Sequence, residues 1–268
     1  MKQSRRRTSQ ILLWTLSLLV VVSMALGLAI SVMPGPRPPT PTPAPFLFAV
    51  CGDNGGASPI YDRILKQVAE DGNFFLIHTG NLVSSGSEPN FQEFAALMAD
   101  FPLPFYPVPG NHDYYQATLD NFLYYSGAPD VHYSFDYGLV HFALTNSGLG
   151  DMTLEELAWL RSDLAASGQP VKMVFLHYPP FDPAGSADIM RSGNEEFMAL
   201  MEEQGVDYVF AGHVRAYDAE ERNGVHYIVT SGAGVPLDQG PEEGGFYHYV
   251  RVTVQGTEVT VEVVPIGE

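Results

Sequence analysis

The sequence is poor in cysteine and in basic residues, and each shortage excludes a class of protein. Cys51 is the single cysteine in 268 residues, so no disulfide can form within the chain. The 13 Lys and Arg residues are outnumbered by 31 Asp and Glu residues, which gives a formal net charge of −18. An acidic chain repels nucleic-acid backbones and anionic lipid surfaces, so neither is expected as the main partner.

Two common catalytic motifs are also missing from the chain. There is no G-x-S-x-G sequence, which positions the nucleophilic serine of many hydrolases. There is also no Walker-type loop, which cradles nucleotide phosphates. We therefore expect neither covalent catalysis by serine nor a P-loop nucleotide hydrolase.

The N-terminal region differs in composition from the rest of the chain. Residues 1–10 carry one lysine and three arginines, and residues 11–33 contain no charged residue, proline, Asn or Gln. A helix of this length rises by about 34 Å, enough for the hydrocarbon core of a bilayer. We predict a cytoplasmic basic segment at 1–10 and a transmembrane signal anchor at 11–33. The alternative is a cleaved secretory signal with a small-residue site at 25–27.

The basic N-terminal flank also predicts the orientation of the chain. Basic segments stay on the cytoplasmic side, so the residues after 33 cross the membrane under either interpretation. Residues 34–45 read PGPRPPTPTPAP, which predicts an extended Pro-rich linker because proline cannot continue a helix. We assign residues 46–268 to one domain, extracytoplasmic and joined to the cell membrane by a single pass.

Short apolar runs alternate with helical patterns through this domain. Compact apolar runs predict core strands at 46–51, 74–79, 139–145, 171–176 and 208–211. Apolar residues at three- and four-residue spacing predict helices at 60–69, 91–101, 154–164 and 195–203. The last third predicts strands at 225–230, 247–254 and 259–264. Together these patterns predict an α/β layered domain whose sheets are covered by helices.

Polar residues cluster where these strands end. Four of the five core strands run directly into such a cluster: Gly52-Asp53-Asn54-Gly55-Gly56, Gly80-Asn81, His177-Tyr178-Pro179-Pro180 and Gly212-His213-Val214-Arg215. A fifth cluster, Gly110-Asn111-His112-Asp113, follows an apolar stretch at 104–108. Ligands of α/β sheets gather beyond the carboxyl ends of strands. Carboxylate, amide oxygen and imidazole are groups that bind borderline divalent metals.

In order and content, the five segments resemble the calcineurin-like metallophosphoesterases, whose pattern is D-x-[H/R/G], G-D, G-N-H-[D/E], H and G-H-x-H. The resemblance covers essentially all of residues 46–268, and its most specific piece is the segment at 110–113. It implies a four-layer α/β/β/α sandwich, two sheets flanked by helices, preceded here by the predicted transmembrane helix. It also implies a site that binds phosphate beside one or two ions of iron, zinc or manganese.

The resemblance assigns a role to each site residue. One metal would use Asp53 with the positions of Asn81 and Arg215, and the other would use the position of Asn81 with Asn111, His177 and His213. His112 would protonate or stabilise the leaving group rather than bind metal. The implied activity is hydrolysis of a phosphate ester, either a monoester or a diester. Five further histidines are interpreted as structural: His78, His132, His141, His226 and His248.

The chain departs from the family pattern chiefly on the side of the first metal. The bridging aspartate of the family is Asn81, the second histidine of its last motif is Arg215, and the histidine often found near the first aspartate is Gly55. The change to Asn81 removes one negative charge and the change to Arg215 adds one positive charge, a net change of +2, which is the charge of one divalent cation. Arg215 would then serve as a surrogate cation that grips phosphate.

Three interpretations follow from these departures. In the first, a single-metal hydrolase works with Arg215 as a catalytic residue. In the second, the domain binds phosphorylated or other anionic ligands without turnover. In the third, weakened two-metal chemistry persists.

The predicted anchor can be tested by proteolysis of intact cells. Proteinase K added outside the cells is expected to cut within residues 34–45 and release a fragment of the size of residues 46–268, detected by immunoblotting. Cleavage only after the membrane has been breached would contradict the predicted topology.

Overall fold

The computed structural model describes residues 44–267 except 184 and 186. The segments predicted at 1–10 and 11–33, and most of the linker at 34–45, lie outside these residues. The described part contains no helix that is long and apolar enough to cross a membrane.

The described residues form eleven strands and five α-helices. The strands are β1 (Phe46–Cys51), β2 (Leu76–His78), β3 (Phe105–Pro107), β4 (Tyr133–Tyr137), β5 (Val140–Leu144), β6 (Val171–Phe175), β7 (Tyr208–Ala211), β8 (Tyr217–Arg222), β9 (Val225–Thr230), β10 (His248–Gln255) and β11 (Glu258–Pro265). The helices are α1 (Pro59–Glu70), α2 (Glu88–Met98), α3 (Asp120–Tyr125), α4 (Leu154–Ala166) and α5 (Asn194–Gln204).

The strands form two mixed sheets. The first has the order β11-β10-β1-β2-β3, in which β1, β2 and β3 are parallel and β10 is antiparallel to both of its neighbours. The second has the order β4-β5-β6-β7-β9-β8, in which the four inner strands are parallel and the two edge strands are antiparallel. The loops that follow the parallel strands carry the predicted site residues.

Three apolar clusters define the layers. The cluster between the sheets is aromatic: the Phe48 ring lies 5.1 Å from that of Phe75 and 5.3 Å from that of Phe142, centroid to centroid. A second cluster joins the first sheet to α1, α2 and α3, and a third joins the second sheet to α4 and α5. The predicted arrangement of two sheets flanked by helices is therefore confirmed.

Several predicted boundaries were wrong, and three strands and a helix were not predicted. Helix α2 begins three residues before the predicted start at 91, because Pro89 fits the first turn of a helix. Strand β2 is shorter than the predicted 74–79. The unpredicted elements are β3, β4, β8 and α3. Strand β3 has only three residues and β8 is a polar edge strand, so neither shows a buried apolar run.

His141 links the second sheet to helix α4. Its Nδ1 lies 2.7 Å from Asp136 Oδ1 in β4, and its Nε2 lies 2.8 Å from Asp163 Oδ2 in α4. Burial lowers the pKa of His141, but the hydrogen bonds and charges of the two carboxylates outweigh this effect and raise the pKa above 6.5. The protonated ring therefore stabilises the folded chain.

This contact predicts a pH-dependent stability. Because the folded-state pKa of His141 is raised, its contribution is fully present below about pH 6.5 and is lost as the pH rises through the folded-state pKa. His141→Gln is expected to lower Tm by roughly 2–4 °C at pH 6, and by less at pH 8.5. Differential scanning fluorimetry of the full chain measures the difference. The control is His226→Gln, which replaces a more exposed histidine of the same sheet. A loss of Tm in His141→Gln that does not depend on pH would contradict the prediction.

Candidate metal centre

The structure brings the seven predicted site residues to one end of the two sheets. Each follows a parallel strand: Asp53 follows β1, Asn81 follows β2, Asn111 and His112 follow β3, His177 follows β6, and His213 and Arg215 follow β7. Their loops contact one another directly. For example, the backbone N–H of His213 donates to Asp53 Oδ2 at 2.8 Å, which joins the second sheet to the first.

The loops are tightly folded. Asp53, Asn81, His213 and Arg215 all have positive φ, between 58° and 71°, a conformation that is uncommon outside glycine. Gly110 is required for close approach, since a Cβ at this position would lie 2.4 Å from the backbone nitrogen of Asn81. The backbones of the loops after β2 and β3 are therefore in contact.

A buried carboxylate joins these same two loops. Asp113 accepts hydrogen bonds from the backbone N–H groups of Asn81 and Gly110, both at 2.8 Å, and of Val83 at 3.2 Å. Burial raises the pKa of Asp113 to about 7, although these N–H groups act to lower it. Asp113 thereby fixes the positions of Asn81, Asn111 and His112 relative to one another.

The orientation of the Asn81 amide follows from a backbone contact. The N–H of His112 donates to Asn81 Oδ1 at 2.9 Å, so this oxygen is held by the backbone of the loop after β3. The amide nitrogen, Nδ2, donates to Asp53 Oδ1 at 2.8 Å and to Asn111 Oδ1 at 3.3 Å. A nitrogen that carries two hydrogens stands where a bridging carboxylate oxygen is expected in the family.

Two hydrogen-bond acceptors, one on His177 and one on Asn111, lie next to each other. The Nδ1 of His177 lies 2.8 Å from the Thr79 carbonyl oxygen, which can only accept, so Nδ1 carries the proton. Burial lowers the pKa of His177 well below 6.5, so the ring is neutral and Nε2 has a free lone pair. That nitrogen lies 2.9 Å from Asn111 Oδ1. A cation bound by both atoms would turn this repulsive contact into a favourable one.

His213 completes this half of the site. Its ring centroid lies 5.1 Å from that of His177 and 3.7 Å from that of Tyr178. Burial lowers the pKa of His213 to about 4, so its imidazole is also neutral at physiological pH. Two neutral imidazoles and an amide oxygen are a donor set that fits a borderline divalent metal.

The other half of the site is arranged differently. Both oxygens of Asp53 accept hydrogen bonds, from Asn81 and from the His213 backbone, and burial raises the pKa of Asp53 to about 7. The guanidinium of Arg215 lies 3.1 Å from Asp238 Oδ2. Within the described residues, no group of three or more His, Cys, Asp or Glu is arranged to hold a metal. The metal-binding roles of the five predicted ligands therefore stay predictions.

His112 lies at the edge of a pocket next to this half. Its Nδ1 is 2.9 Å from the Ser84 carbonyl oxygen, which leaves Nε2 as the ring nitrogen available to a substrate. The pocket has a volume of about 330 Å³ and is also lined by Asp53, Asn81, Arg215 and the apolar residues Val83, Val235 and Pro236.

Three of these contacts could not be predicted from the sequence. Tyr178 directly follows His177, but nothing in the pattern indicates that it stacks on His213. The Ser84 carbonyl is a backbone group, which carries no sequence signal. Asp238 lies in a Gly- and Pro-rich loop without periodicity, so its pairing with Arg215 could not be inferred.

The fold and the site define an α/β protein with imidazole, amide and carboxylate side chains gathered at the carboxyl ends of its strands. The family model described as "Calcineurin-like phosphoesterase" matches residues 46–217, more than half of the chain. The chain belongs to this family.

Comparison with known proteins finds relatives that hydrolyse phosphodiesters. The chain is 29% identical over 162 residues to a 3',5'-cyclic-nucleotide phosphodiesterase of Nostoc sp., covering 57% of this chain and 60% of that protein. It is 25% identical over 181 residues to the 3',5'-cyclic adenosine monophosphate phosphodiesterase CpdA of Escherichia coli K12, covering 63% and 65%. The matched part thus spans less than two thirds of these relatives.

A solved structure shares the fold. Purple acid phosphatase PPD1 of yellow lupin (Lupinus luteus) superimposes with a TM-score of 0.67 at 16% identity, covering 83% of this chain and 52% of that one. At this identity the likeness shows the fold alone.

The predicted ligand set can be tested by elemental analysis. His213→Ala is expected to lower the metal content of the purified full chain by roughly tenfold or more, because an imidazole ligand is removed. The control is His226→Ala, a half-exposed histidine on β9 away from the site. Equal metal loss in both variants, measured by inductively coupled plasma mass spectrometry, would contradict the assignment.

Proposed function

We propose that the chain is a metal-dependent phosphoric ester hydrolase that binds one metal ion through Asn111, His177 and His213. The observation that carries this proposal is the 2.9 Å contact between His177 Nε2 and Asn111 Oδ1. Neither atom carries a proton in the arrangement described above. Two lone pairs at this distance are unfavourable in a buried site unless a cation binds both.

The bound metal would act as a Lewis acid that polarises the phosphoryl group. The residues of the chain supply the other functions. Arg215 offers a guanidinium to the phosphoryl oxygens, and its fork geometry suits two parallel hydrogen bonds. His112 donates a proton from Nε2 to the leaving-group oxygen, while the Ser84 carbonyl holds Nδ1–H and so fixes the orientation of the ring.

The contacts of Asn81 favour one metal over two. Its amide nitrogen points at Asp53 and Asn111, and a nitrogen with two hydrogens cannot bridge two cations. Arg215 instead supplies positive charge to this half of the site. The interpretation that retains weakened two-metal chemistry has the least support from this arrangement.

A second candidate function is the binding of phosphorylated or other anionic ligands without turnover. It is favoured by the hydrogen bonds to both oxygens of Asp53, since a carboxylate engaged in this way is less able to bind a metal or orient a water molecule.

The proposal of a hydrolase also extends to the class of substrate and to the location of the protein. The phosphodiesterase relatives favour a phosphodiester substrate, although a monoester is equally compatible with the residues. The sequence at 1–45 supports a membrane-anchored, extracytoplasmic enzyme.

The proposal predicts the effect of restoring the family residues. In Asn81→Asp, a carboxylate oxygen would replace a nitrogen that lies 2.8 Å from Asp53 Oδ1, and two carboxylates at this distance repel each other unless a metal ion or a shared proton lies between them. Asn81→Asp combined with Arg215→His should therefore bind two metals per chain. Hydrolysis of bis(p-nitrophenyl) phosphate should rise by roughly tenfold to a thousandfold, because a second cation assists activation of water.

The single changes should do less than their combination, because neighbouring groups in one charge network couple. His112→Ala controls for contaminating phosphatases, since it should retain the metal and lose the turnover. One metal per wild-type chain with turnover supports the hydrolase, and metal without turnover supports the binding function. A double variant that gains neither metal nor activity would show that the altered residues do not limit the reaction.

A further inference from the structure

One of the residues that line the pocket belongs to an ion pair. Among the described residues that line the pocket, Arg215 is the only Arg or Lys. Its Nη1 lies 3.1 Å and 3.4 Å from the two carboxylate oxygens of Asp238, and the side chains are 35% and 64% exposed. The cation that the proposed function assigns to the phosphoryl group is therefore already paired with an anion of the chain.

We propose that Asp238 is a specificity-determining residue that competes with the substrate for Arg215 and favours monoanionic phosphodiesters over dianionic monoesters. This inference rests on the proposed function, because it concerns the same site. A phosphoryl group that pairs with Arg215 must displace the Asp238 carboxylate or share the guanidinium with it. Either outcome lowers the affinity for every anion.

The preference for a monoanion over a dianion follows from the charge of the ligand. Coulomb energy is proportional to the product of the charges, so a dianion in the pocket is repelled by Asp238 about twice as strongly as a monoanion. Asp53 lines the pocket and is a second carboxylate that repels anions. Its own hydrogen bonds come from Asn81 and from the backbone of His213. Asp53 and Asp238 therefore reduce the extra attraction that the second negative charge of a monoester would gain from Arg215 and from the bound metal, which favours the phosphodiester, with its single negative charge.

The position of Asp238 makes this role separable from catalysis. It lies in the loop between β9 and β10 and contacts Nη1 of Arg215, and it is not among the residues lining the pocket. Removing its charge therefore leaves the proposed ligands Asn111, His177 and His213 unchanged.

The test measures binding of two small anions to the full chain and to Asp238→Asn. Dimethyl phosphate is a monoanion and methyl phosphate is a dianion at about pH 8, and the two differ by one methyl group. Isothermal titration calorimetry at low ionic strength should show that Asp238→Asn binds dimethyl phosphate about twofold to fivefold more tightly, the range expected for an exposed ion pair. The gain for methyl phosphate should be roughly the square of that factor.

Two controls separate this effect from a general change in charge. Glu258→Gln removes one negative charge at the start of β11, at the opposite end of β1 from Asp53, and should change neither affinity appreciably. In an Arg215→Ala background, the gain from Asp238→Asn should be clearly smaller for both anions, because the competed cation is absent and only the direct repulsion by Asp238 remains. Metal content is measured in every variant and should equal that of its parent.

Three results would overturn the inference: an equal gain for both anions, a gain that is undiminished without Arg215, or no detectable binding of either anion by the wild type and Asp238→Asn. The proposed function fails on different grounds, namely the absence of metal and of hydrolysis. The binding pattern described here can hold even then, because it requires no turnover.

Discussion

The buried carboxylate of Asp113 is the contact on which the arrangement of the site depends. It accepts N–H groups from the loops after β2 and β3, which together carry Asn81, Asn111 and His112. Each of these donors would cost about 1–3 kcal/mol if it were left buried without a partner. The two loops therefore keep one relative position, and the glycine at 110 allows their backbones to meet. This contact between the two loops sets the positions of Asn81, Asn111 and His112.

The same contact decides what the site can bind. Because the loop geometry brings the His112 N–H to Asn81 Oδ1, the amide nitrogen must face Asp53 and Asn111. Because position 81 presents an amide nitrogen instead of a carboxylate oxygen, the two halves of the site have different chemistry. One half keeps imidazoles and an amide oxygen, all neutral, and the other becomes a hydrogen-bonded carboxylate beside a guanidinium. Charge and hydrogen bonding, rather than a change of fold, account for the difference from the family pattern.

Much of this architecture could be predicted from the sequence, and the exceptions have physical reasons. Buried strands such as β1, β7 and β9 were predicted with their observed bounds, since a compact apolar run is what burial on both faces requires. Strand β8 was not, because none of the residues of this edge strand is buried and it carries no such run. The convergence of the seven site residues follows from the positions of the parallel strands. The direction of the Asn81 amide and the partner of Arg215 depend on contacts between loops far apart in sequence, which no local pattern encodes.

The left-handed backbone of the site loops has a consequence for how such proteins diverge. Asp53, Asn81 and His213 belong to the residue types that tolerate positive φ best, and these types are also the ones that bind metals. Exchanges among Asp, Asn, His and Gly at these positions cost little conformational energy, whereas β-branched residues are excluded. The substitutions that these loops tolerate therefore change the charge of a site residue but not the conformation of the loop. A scaffold of this kind can change the charges around its site by single substitutions while its loops keep their fold.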